Sequence, residues 1–332
     1  MTRMILSRAA GMVLVLFLVT LFTYVIFFVL SPDPAVQICG KNCTPERIDQ
    51  IRANLGIDQP FWTQFLGYVG GLFAGREFEV AGAVISCPAP CLGYSFQTGQ
   101  LVNDMIVQRL PISATIAIGA AVLWLVGGVI GGVLSAAKEG RFTDRFFAAL
   151  TLGGMSVPNY VLALLLQFVL VVALGWLPFP QAVPFAADPV QWFLNFLMPW
   201  IVLAVGYAAV YTRLTRANVI DTLQENFVRT ARAKGLSPAL VWRRHALRPA
   251  LTPIVTIFGM DVAGLLGGAV ITEKVFGLNG VGKLTADSIA ANDQPVIMAV
   301  TLLSAFFVII GNFVVDLLYT AIDPRVRTAA RA

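Results

Sequence analysis

Long stretches without a charged side chain dominate this sequence. Each of them spans at least 22 residues, and about 20 apolar residues suffice for a helix to cross the hydrocarbon core of a bilayer. A soluble core would be built from shorter amphipathic segments. We therefore predict an all-α polytopic membrane protein with six transmembrane helices. The uncharged stretches are 9–30, 110–137, 146–187, 189–212 and 294–315, and a sixth, 249–272, carries one charged residue, Asp261.

The composition agrees with a membrane protein and argues against a nucleic-acid-binding one. Hydrophobic residues make up 58% of the chain and charged residues 12%, whereas soluble domains are about 25% charged. The net charge of +5 forms no basic stripe interleaved with aromatic residues. If the N-terminus is inside, 16 of the 23 Lys and Arg lie on the cytoplasmic side, as the positive-inside rule requires. Both termini are therefore predicted to be cytoplasmic.

Two of the apolar stretches need interpretation. Stretch 146–187 is too long for one span, so it is predicted to end near 175–178 and to be kinked at Ser156-Val157-Pro158. The first stretch is long for a signal-peptide core and is followed by no evident small-residue cleavage site. We expect it to be retained as a transmembrane helix.

The polar segments between these stretches suggest four regions. Residues 1–30 are expected to form the N-terminal cytoplasmic end and first span, and 31–109 an extracytoplasmic cap loop. Residues 110–320 are expected to be the core domain with five spans, and 321–332 a cytoplasmic tail. Within the cap loop, Thr44-Pro45 is typical of a helix start, and 61–73 is aromatic and amphipathic.

A basic cytoplasmic loop, 213–248, lies inside the core domain. Its stretch 228–238, followed by 242–248, is predicted to form a helix, a glycine turn and a second helix. Gly235 permits the positive φ that ends a helix, Ser237 can cap the next helix, and Pro238 suits its first turn. Two short helices of this kind would form a rigid protrusion. The alternative is a solvated basic loop that only enforces topology.

The chain resembles, over nearly its whole length, the permease subunits of bacterial ABC importers, in particular the first-subunit type of the dipeptide and oligopeptide permeases. The segment just described is similar to that family's "EAA" loop. Arg229 and Thr230 stand where the general motif has Glu and its first Ala, so no docking contact is assigned to that carboxylate. The 77–90 stretch resembles an insertion without a family role. The other matching motifs are Leu92-Gly93-Tyr94-Ser95-Phe96, Arg109-Leu110-Pro111, 275–284, Asp316-Leu317-Leu318-Tyr319 and Asp323-Pro324-Arg325.

This resemblance implies a type I ABC importer permease fold in the bacterial inner membrane, together with a set of partners. They are a second homologous permease, two ATPase subunits that hold ATP and Mg²⁺, an extracytoplasmic substrate-binding protein and a peptide substrate. No cofactor is expected on this chain. The resemblance also assigns ATPase docking to Arg229, Thr230, Ala231, Lys234, Gly235, Leu236, Ser237, Pro238 and His245.

The residues argue against an enzyme. Segment 277–283 has the spacing of a phosphate-binding P-loop up to Lys283, but Leu284 stands where Ser or Thr must ligate Mg²⁺. The chain holds one histidine, His245, and no evident Ser/His/Asp, metal-ligand or paired-carboxylate set. ATP hydrolysis is therefore expected from partner subunits.

Several polar and small residues carry further hypotheses. Cys39, Cys43, Cys87 and Cys91 all lie in the external loop, where an oxidising environment favours disulfides over zinc but leaves three pairings open. Asp261 lies mid-span, so it either faces the translocation path or pairs with a polar group. The pairs Gly127-Gly128 and Gly131-Gly132 are typical of close helix packing.

The function predicted from these features is that of an importer permease for di- or oligopeptides. A secondary transporter is the alternative from another class, but it would show repeated halves and several intramembrane charges. Nickel complexes and haem, which close relatives handle, are alternative substrates. The sequence does not separate these substrates.

Overall fold

The computed structural model describes residues 2–29, 35–36, 44–55, 58–80 and 83–322. Their backbone falls into two units, which we describe separately. The first unit comprises the described residues up to Pro111 together with Gly280–Ile309, and the second comprises Ile112–Asn279 and the described residues from Ile310. The helices of the first unit are α1 (Thr2–Tyr24, continued by a π-helical Val25–Val29), α2 (Pro45–Leu55), α3 (Phe61–Ala74) and α11 (Val281–Ala291).

The second unit is built from the middle of the chain. Two helices, α4 (Val102–Ala137) and α12 (Gln294–Ile322), contribute residues to both units. The remaining helices are α5 (Phe142–Ser156), α6 (Asn159–Leu166, continued by a π-helical Gln167–Ala173), α7 (Pro189–Gln224), α8 (Asn226–Ala233), α9 (Pro238–Leu266, with a π-helical Val241–Ala246) and α10 (Val270–Phe276).

Five of these helices are long and apolar enough to cross a membrane, and the α5–α6 pair provides a sixth span if it is counted as one broken helix. The six predicted spans agree with this set. The predicted kink at Pro158 is a sharp bend of 97°, and Val157 before it is extended, with φ −93° and ψ 119°. Proline removes a helical N–H and disfavours helical geometry in the preceding residue, which explains the break. The five single spans are Arg8–Phe27, Val102–Ala137, Pro189–Gln224, Pro238–Leu266 and Gln294–Val315.

The loop after α1 contains strands, which the all-α prediction missed. Strand β1 (Arg76–Val80) pairs antiparallel with β2 (Ala83–Cys87), and a shorter hairpin joins β3 (Tyr94–Ser95) to β4 (Gln100–Leu101). The first hairpin occupies most of the stretch that resembled an insertion. Each of these two strands is only five residues long, and β2, Ala83–Cys87, is mostly apolar without a clear alternation, so the period-two signal of a strand is weak.

Two contacts tie the first hairpin to its surroundings. The Arg76 guanidinium lies 5.2 Å from the ring centres of both Tyr68 and Phe78. Cys87 forms a disulfide with Cys91, which is one of the local pairings that the sequence left open. Cys39 and Cys43 lie outside the described residues.

The core of the second unit lies between α4, α7 and α9. Trp124, Tyr211 and Ile254, one from each helix, are at most 1% exposed. The glycines of α4 permit close approach to α7: a Cβ on Gly128 would meet the Tyr211 Cβ at 2.5 Å, and one on Gly132 would meet the Thr212 carbonyl at 2.7 Å. The predicted glycine-mediated packing is therefore confirmed at these two positions.

Candidate functional site

The turn between α8 and α9 has the geometry of a Schellman motif. Gly235 has φ +77°, its N–H donates to the Arg232 carbonyl at 3.0 Å, and the Leu236 N–H donates to the Ala231 carbonyl at 3.4 Å. These two hydrogen bonds satisfy carbonyls that the end of α8 would otherwise leave unpaired. The predicted sequence of helix, glycine turn and helix is thus present, and the turn is well defined.

Apolar side chains anchor this turn to the neighbouring helices. Val228, Ala231 and Val241 form a small buried cluster that also includes Leu223 and Leu236. Leu223, near the end of α7, belongs to a second cluster as well, built around Ala136, Val219 and Ala250. A displacement of α8 would therefore be transmitted through packed side chains to the ends of α4, α7 and α9.

The residues predicted to dock on an ATPase fall into two groups. Ala231 is 6% exposed and packs inward, while Leu236 and His245 are half-buried. The rest lie on the outer surface of the turn. These exposed residues are Arg229, Thr230, Lys234, Gly235, Ser237 and Pro238.

One detail of the predicted turn is wrong. Ser237 occupies the cap position before Pro238, but its side chain makes no capping hydrogen bond. Its carbonyl instead accepts the Val241 N–H at 3.0 Å. Pro238 has no N–H to satisfy, and the N–H groups that a Ser cap would accept belong to Ala239 and Leu240, both of which are exposed residues.

A partly buried ion pair near this segment was not found from the sequence. The Asp144 residue is 7% exposed. Its carboxylate accepts hydrogen bonds from Arg216 Nε at 2.7 Å and from Arg216 Nη2 at 2.8 Å. It also accepts the Ser135 hydroxyl at 2.5 Å and the Gly140 N–H at 2.8 Å. The arrangement joins the α4–α5 turn to α7. An acidic residue in the first turn of an otherwise apolar helix was the available signal, but its Arg partner is distant in sequence.

Asp261 has a polar partner inside the second unit. The Tyr211 hydroxyl donates to Asp261 Oδ2 at 2.6 Å. Tyr211 is fully buried, whereas Asp261 is half-buried. Trp124 lies behind this pair, stacked on Tyr207 with ring centres 4.5 Å apart.

The segment that resembles a P-loop is a turn between two helices. Gly277 ends α10 in the left-handed region with φ +68°, and the following Leu278 is 1% exposed. Glu273 in α10 is completely buried and accepts the Ser113 hydroxyl at 2.7 Å and the Ala269 N–H at 3.1 Å. Nothing in the sequence distinguishes Glu273, since a single Glu in a short segment forms no recognisable pattern. Within the described part of the chain, no cluster of three or more His, Cys, Asp and Glu is placed to hold a metal ion.

Comparison with known proteins assigns the chain to a family. Residues 128–328 match the family described as "Binding-protein-dependent transport system inner membrane component". Residues 1–117 match the N-terminal region of membrane components of such transport systems.

Individual relatives extend over the whole chain. The glutathione transport system permease protein GsiC of Escherichia coli (strain K12) is 35% identical, covering 98% of this chain and 99% of its own. The "Probable peptide ABC transporter permease protein y4tP" of Sinorhizobium fredii is 33% identical, covering 97% of this chain and 98% of its own.

A solved structure supports the fold. A chain of the MetNI methionine ABC transporter, determined in inward-facing conformations, aligns with a TM-score of 0.51 and 18% identity, over 66% of this chain and 96% of its own. Together with the apolar spans, these matches confirm the predicted family and fold. The chain belongs to the binding-protein-dependent transport system inner membrane components, as a permease subunit of an ABC importer of the peptide type.

Proposed function

We propose that this chain and a second, homologous permease together form the translocation path for di- or oligopeptides. An extracytoplasmic binding protein delivers the peptide, and two separate ATPase subunits, which hold ATP and Mg²⁺, drive the cycle. The names of the 33–35% identical relatives support a peptide substrate. The distribution of Lys and Arg supports an inner-membrane orientation with both termini in the cytoplasm.

The observation that carries this proposal is the combination of a rigid turn and an exposed basic surface. The Schellman turn at Gly235 fixes the angle between α8 and α9, and the cluster around Val228 anchors both helices. Six cationic side chains on and beside the turn are exposed. They are Arg229, Arg232, Lys234, Arg243, Arg244 and Arg248.

Such a surface suits a protein partner better than a purely topological role. A loop that only enforces topology needs positive charge but no defined backbone geometry. A docking element needs both, because force is transmitted only through a part that does not deform. We infer that the ATPases contact this surface, with Gly235 at its tip.

The chain's own contribution to transport is mechanical. ATP binding and hydrolysis on the partner subunits would bias two conformations of the permease pair, and alternating access requires only that the two states differ in ligand affinity. Motion of α8 would be transmitted to α7 and α9 through Leu223, which packs in both the cluster around Val228 and the cluster around Val219. Asp261, on α9, is proposed to face the translocation path.

Charge reversal at the exposed turn tests docking. In the double variant Arg232→Glu/Lys234→Glu, both replaced side chains are exposed, so the fold should be retained. An ATPase surface that binds this basic turn is expected to be acidic, so the new glutamates would face charges of the same sign. Like-charge contacts at an interface cost several kcal/mol, and we therefore expect the recovery of ATPase subunits with the tagged chain to fall at least about tenfold.

Arg141→Glu is the matched control, since Arg141 is an exposed cation in another predicted cytoplasmic loop. It should leave ATPase recovery unchanged. Equal recovery of ATPases with the double variant and the wild type would contradict docking at this turn. In a Ser237→Cys variant, labelling by a membrane-impermeant thiol reagent from outside the cell, above the level that the wild type shows through its own external cysteines, would contradict the proposed orientation.

A further inference from the structure

Aromatic rings and one carboxylate converge where α4, α7 and α9 meet. Trp124 of α4 stacks on Tyr207 of α7, with ring centres 4.5 Å apart and planes inclined by 24°. Phe258 of α9 lies edge-on to Trp124 at 6.0 Å. Tyr207 and Tyr211 are one turn apart on α7, and Phe258 and Asp261 are one turn apart on α9, so each pair shares a helix face.

The accessible part of this cluster combines aromatic rings with a carboxylate. Tyr207, Phe258 and Asp261 are half-buried, whereas Trp124 and Tyr211 are fully buried behind them. The buried pair supports the accessible groups: Trp124 packs against the ring of Tyr207, and the Tyr211 hydroxyl fixes Asp261 through its Oδ2 at 2.6 Å. One carboxylate oxygen, Oδ1, accepts no hydrogen bond among the described residues.

Asp261 lacks the partner that a membrane carboxylate usually has. No Lys or Arg within the described ranges forms an ion pair with it. An ionisable side chain at this depth is costly, and it is normally balanced by an opposite charge or by a polar cavity. The hydroxyl of Tyr211 provides one hydrogen bond but no positive charge.

We propose that Asp261, with the rings of Tyr207 and Phe258, forms a subsite for an alkylammonium group, such as the free amino terminus of a peptide in transit. A carboxylate supplies the counter-charge, and aromatic faces attract the cation through their quadrupole. This inference rests on the proposed function for the identity of the cargo, while the subsite itself can be tested without transport.

Direct binding of a small cation tests the subsite. The full-length chain, purified with its co-purifying subunits in lipid nanodiscs, is titrated with 4-fluorophenethylammonium and followed by ¹⁹F NMR line broadening. The neutral N-acetyl derivative of the same probe is titrated in parallel. We expect the cation to bind at least about tenfold more tightly than the neutral probe, because a partly buried charge pair discriminates strongly.

Two variants separate the charge from the rings. Asp261→Asn keeps an acceptor for Tyr211 and removes the charge, so cation binding should weaken at least about tenfold while neutral binding is unchanged. Tyr207→Leu keeps the carboxylate and removes a ring, so a weakening of about two- to fivefold is expected. Asp221→Asn, an exposed carboxylate on α7, is the control and should change neither titration.

The outcomes distinguish this inference from the proposed function. If Asp261→Asn binds the cation as the wild type does, or if the neutral probe binds as tightly as the cation, the subsite is wrong even when ATPases co-purify. If Asp261→Asn does not assemble, Tyr207→Leu decides, and unchanged cation affinity in it overturns the proposal. Absence of co-purifying ATPases contradicts the proposed function but leaves the cation titration interpretable.

Discussion

Asp144 and Arg216 form a two-point ion pair, with Nε on Oδ1 at 2.7 Å and Nη2 on Oδ2 at 2.8 Å. Ser135 and Gly140 donate to the same carboxylate, which is therefore saturated by four donors. This geometry is stronger than a single-point contact, because a guanidinium and a carboxylate match in shape as well as charge. The pair holds the α4–α5 turn against α7.

Removing either partner should destabilise the second unit. We expect Asp144→Ala and Arg216→Ala each to lower the free energy of unfolding by about 1–3 kcal/mol, since each leaves hydrogen-bonding groups without partners. The double variant should cost less than the sum by about 0.5–3 kcal/mol, measured as a thermal-unfolding cycle in detergent. Glu139→Gln is the control. Glu139 lies 3.9 Å from Arg216 and is 59% exposed, so its ion pair should contribute little and the substitution should change the stability little. Strict additivity in the cycle would show that the pair contributes nothing.

The glycines of α4 differ in what a methyl group would contact. A Cβ on Gly132 would lie 2.5 Å from the Thr215 Cβ and 2.7 Å from the Thr212 carbonyl, whereas Gly127 has nothing within 4 Å. We predict that Gly132→Ala is destabilising by about 1–3 kcal/mol through overpacking. Gly127→Ala should be neutral or stabilising by up to about 1 kcal/mol because alanine favours the helix. Melting temperatures of the two variants test this, and equal shifts would contradict it.

The spans could be predicted from the sequence because their signal is local. Uncharged stretches of sufficient length identify helices without knowledge of their partners, and the break at Pro158 follows from proline chemistry alone. The glycine turn at Gly235 was predictable for the same reason.

The polar contacts inside the units could not be predicted, since each depends on residues distant in sequence. Asp144 and Arg216 are 72 positions apart, and Ser113 and Glu273 are 160 apart. For Asp261, the sequence left a pathway role and a polar partner as alternatives. The structure supplies a partner, Tyr211, and the pathway role stays a proposal.

Asp293 should make the first unit sensitive to pH. The residue precedes α12, is 4% exposed and accepts the hydroxyl of Ser95. Burial raises the pKa of the Asp293 carboxyl, and the hydrogen bond from Ser95 opposes this rise only in part. The folded state therefore holds the proton more tightly than the unfolded state does.

The sign of the effect follows from proton linkage. Above the ordinary Asp pKa of about 3.9, the free energy of unfolding should fall as pH rises through the raised folded pKa of Asp293. Asp293→Asn removes this titration and can still accept from Ser95, so its melting temperature relative to the wild type should increase from about pH 4 to pH 7. The control Asp104→Asn, an exposed carboxylate in the same unit, should show no such increase. A constant difference across pH would refute the assignment.

Gly235 offers a test of whether the α8–α9 turn must be rigid. A Cβ at this position would meet nothing within 4 Å, so any cost of substitution comes from the backbone at φ +77°. We expect Gly235→Val to destabilise the turn by about 1–2 kcal/mol, the penalty of the left-handed conformation for a residue with a Cβ. Asn tolerates this conformation better, so Gly235→Asn should cost less.

The consequence of this strain should be local. The backbone amides of residues 235 and 236 donate the hydrogen bonds that close the turn. Their hydrogen exchange should accelerate in the Val variant and change little in the Asn variant. ATPase activity coupled to substrate should follow the same order, because a frayed turn transmits less force to Leu223 and the helices it contacts. If coupling is lost equally in both variants while exchange differs, the glycine is required for a close contact with the partner and not for the rigidity of the turn.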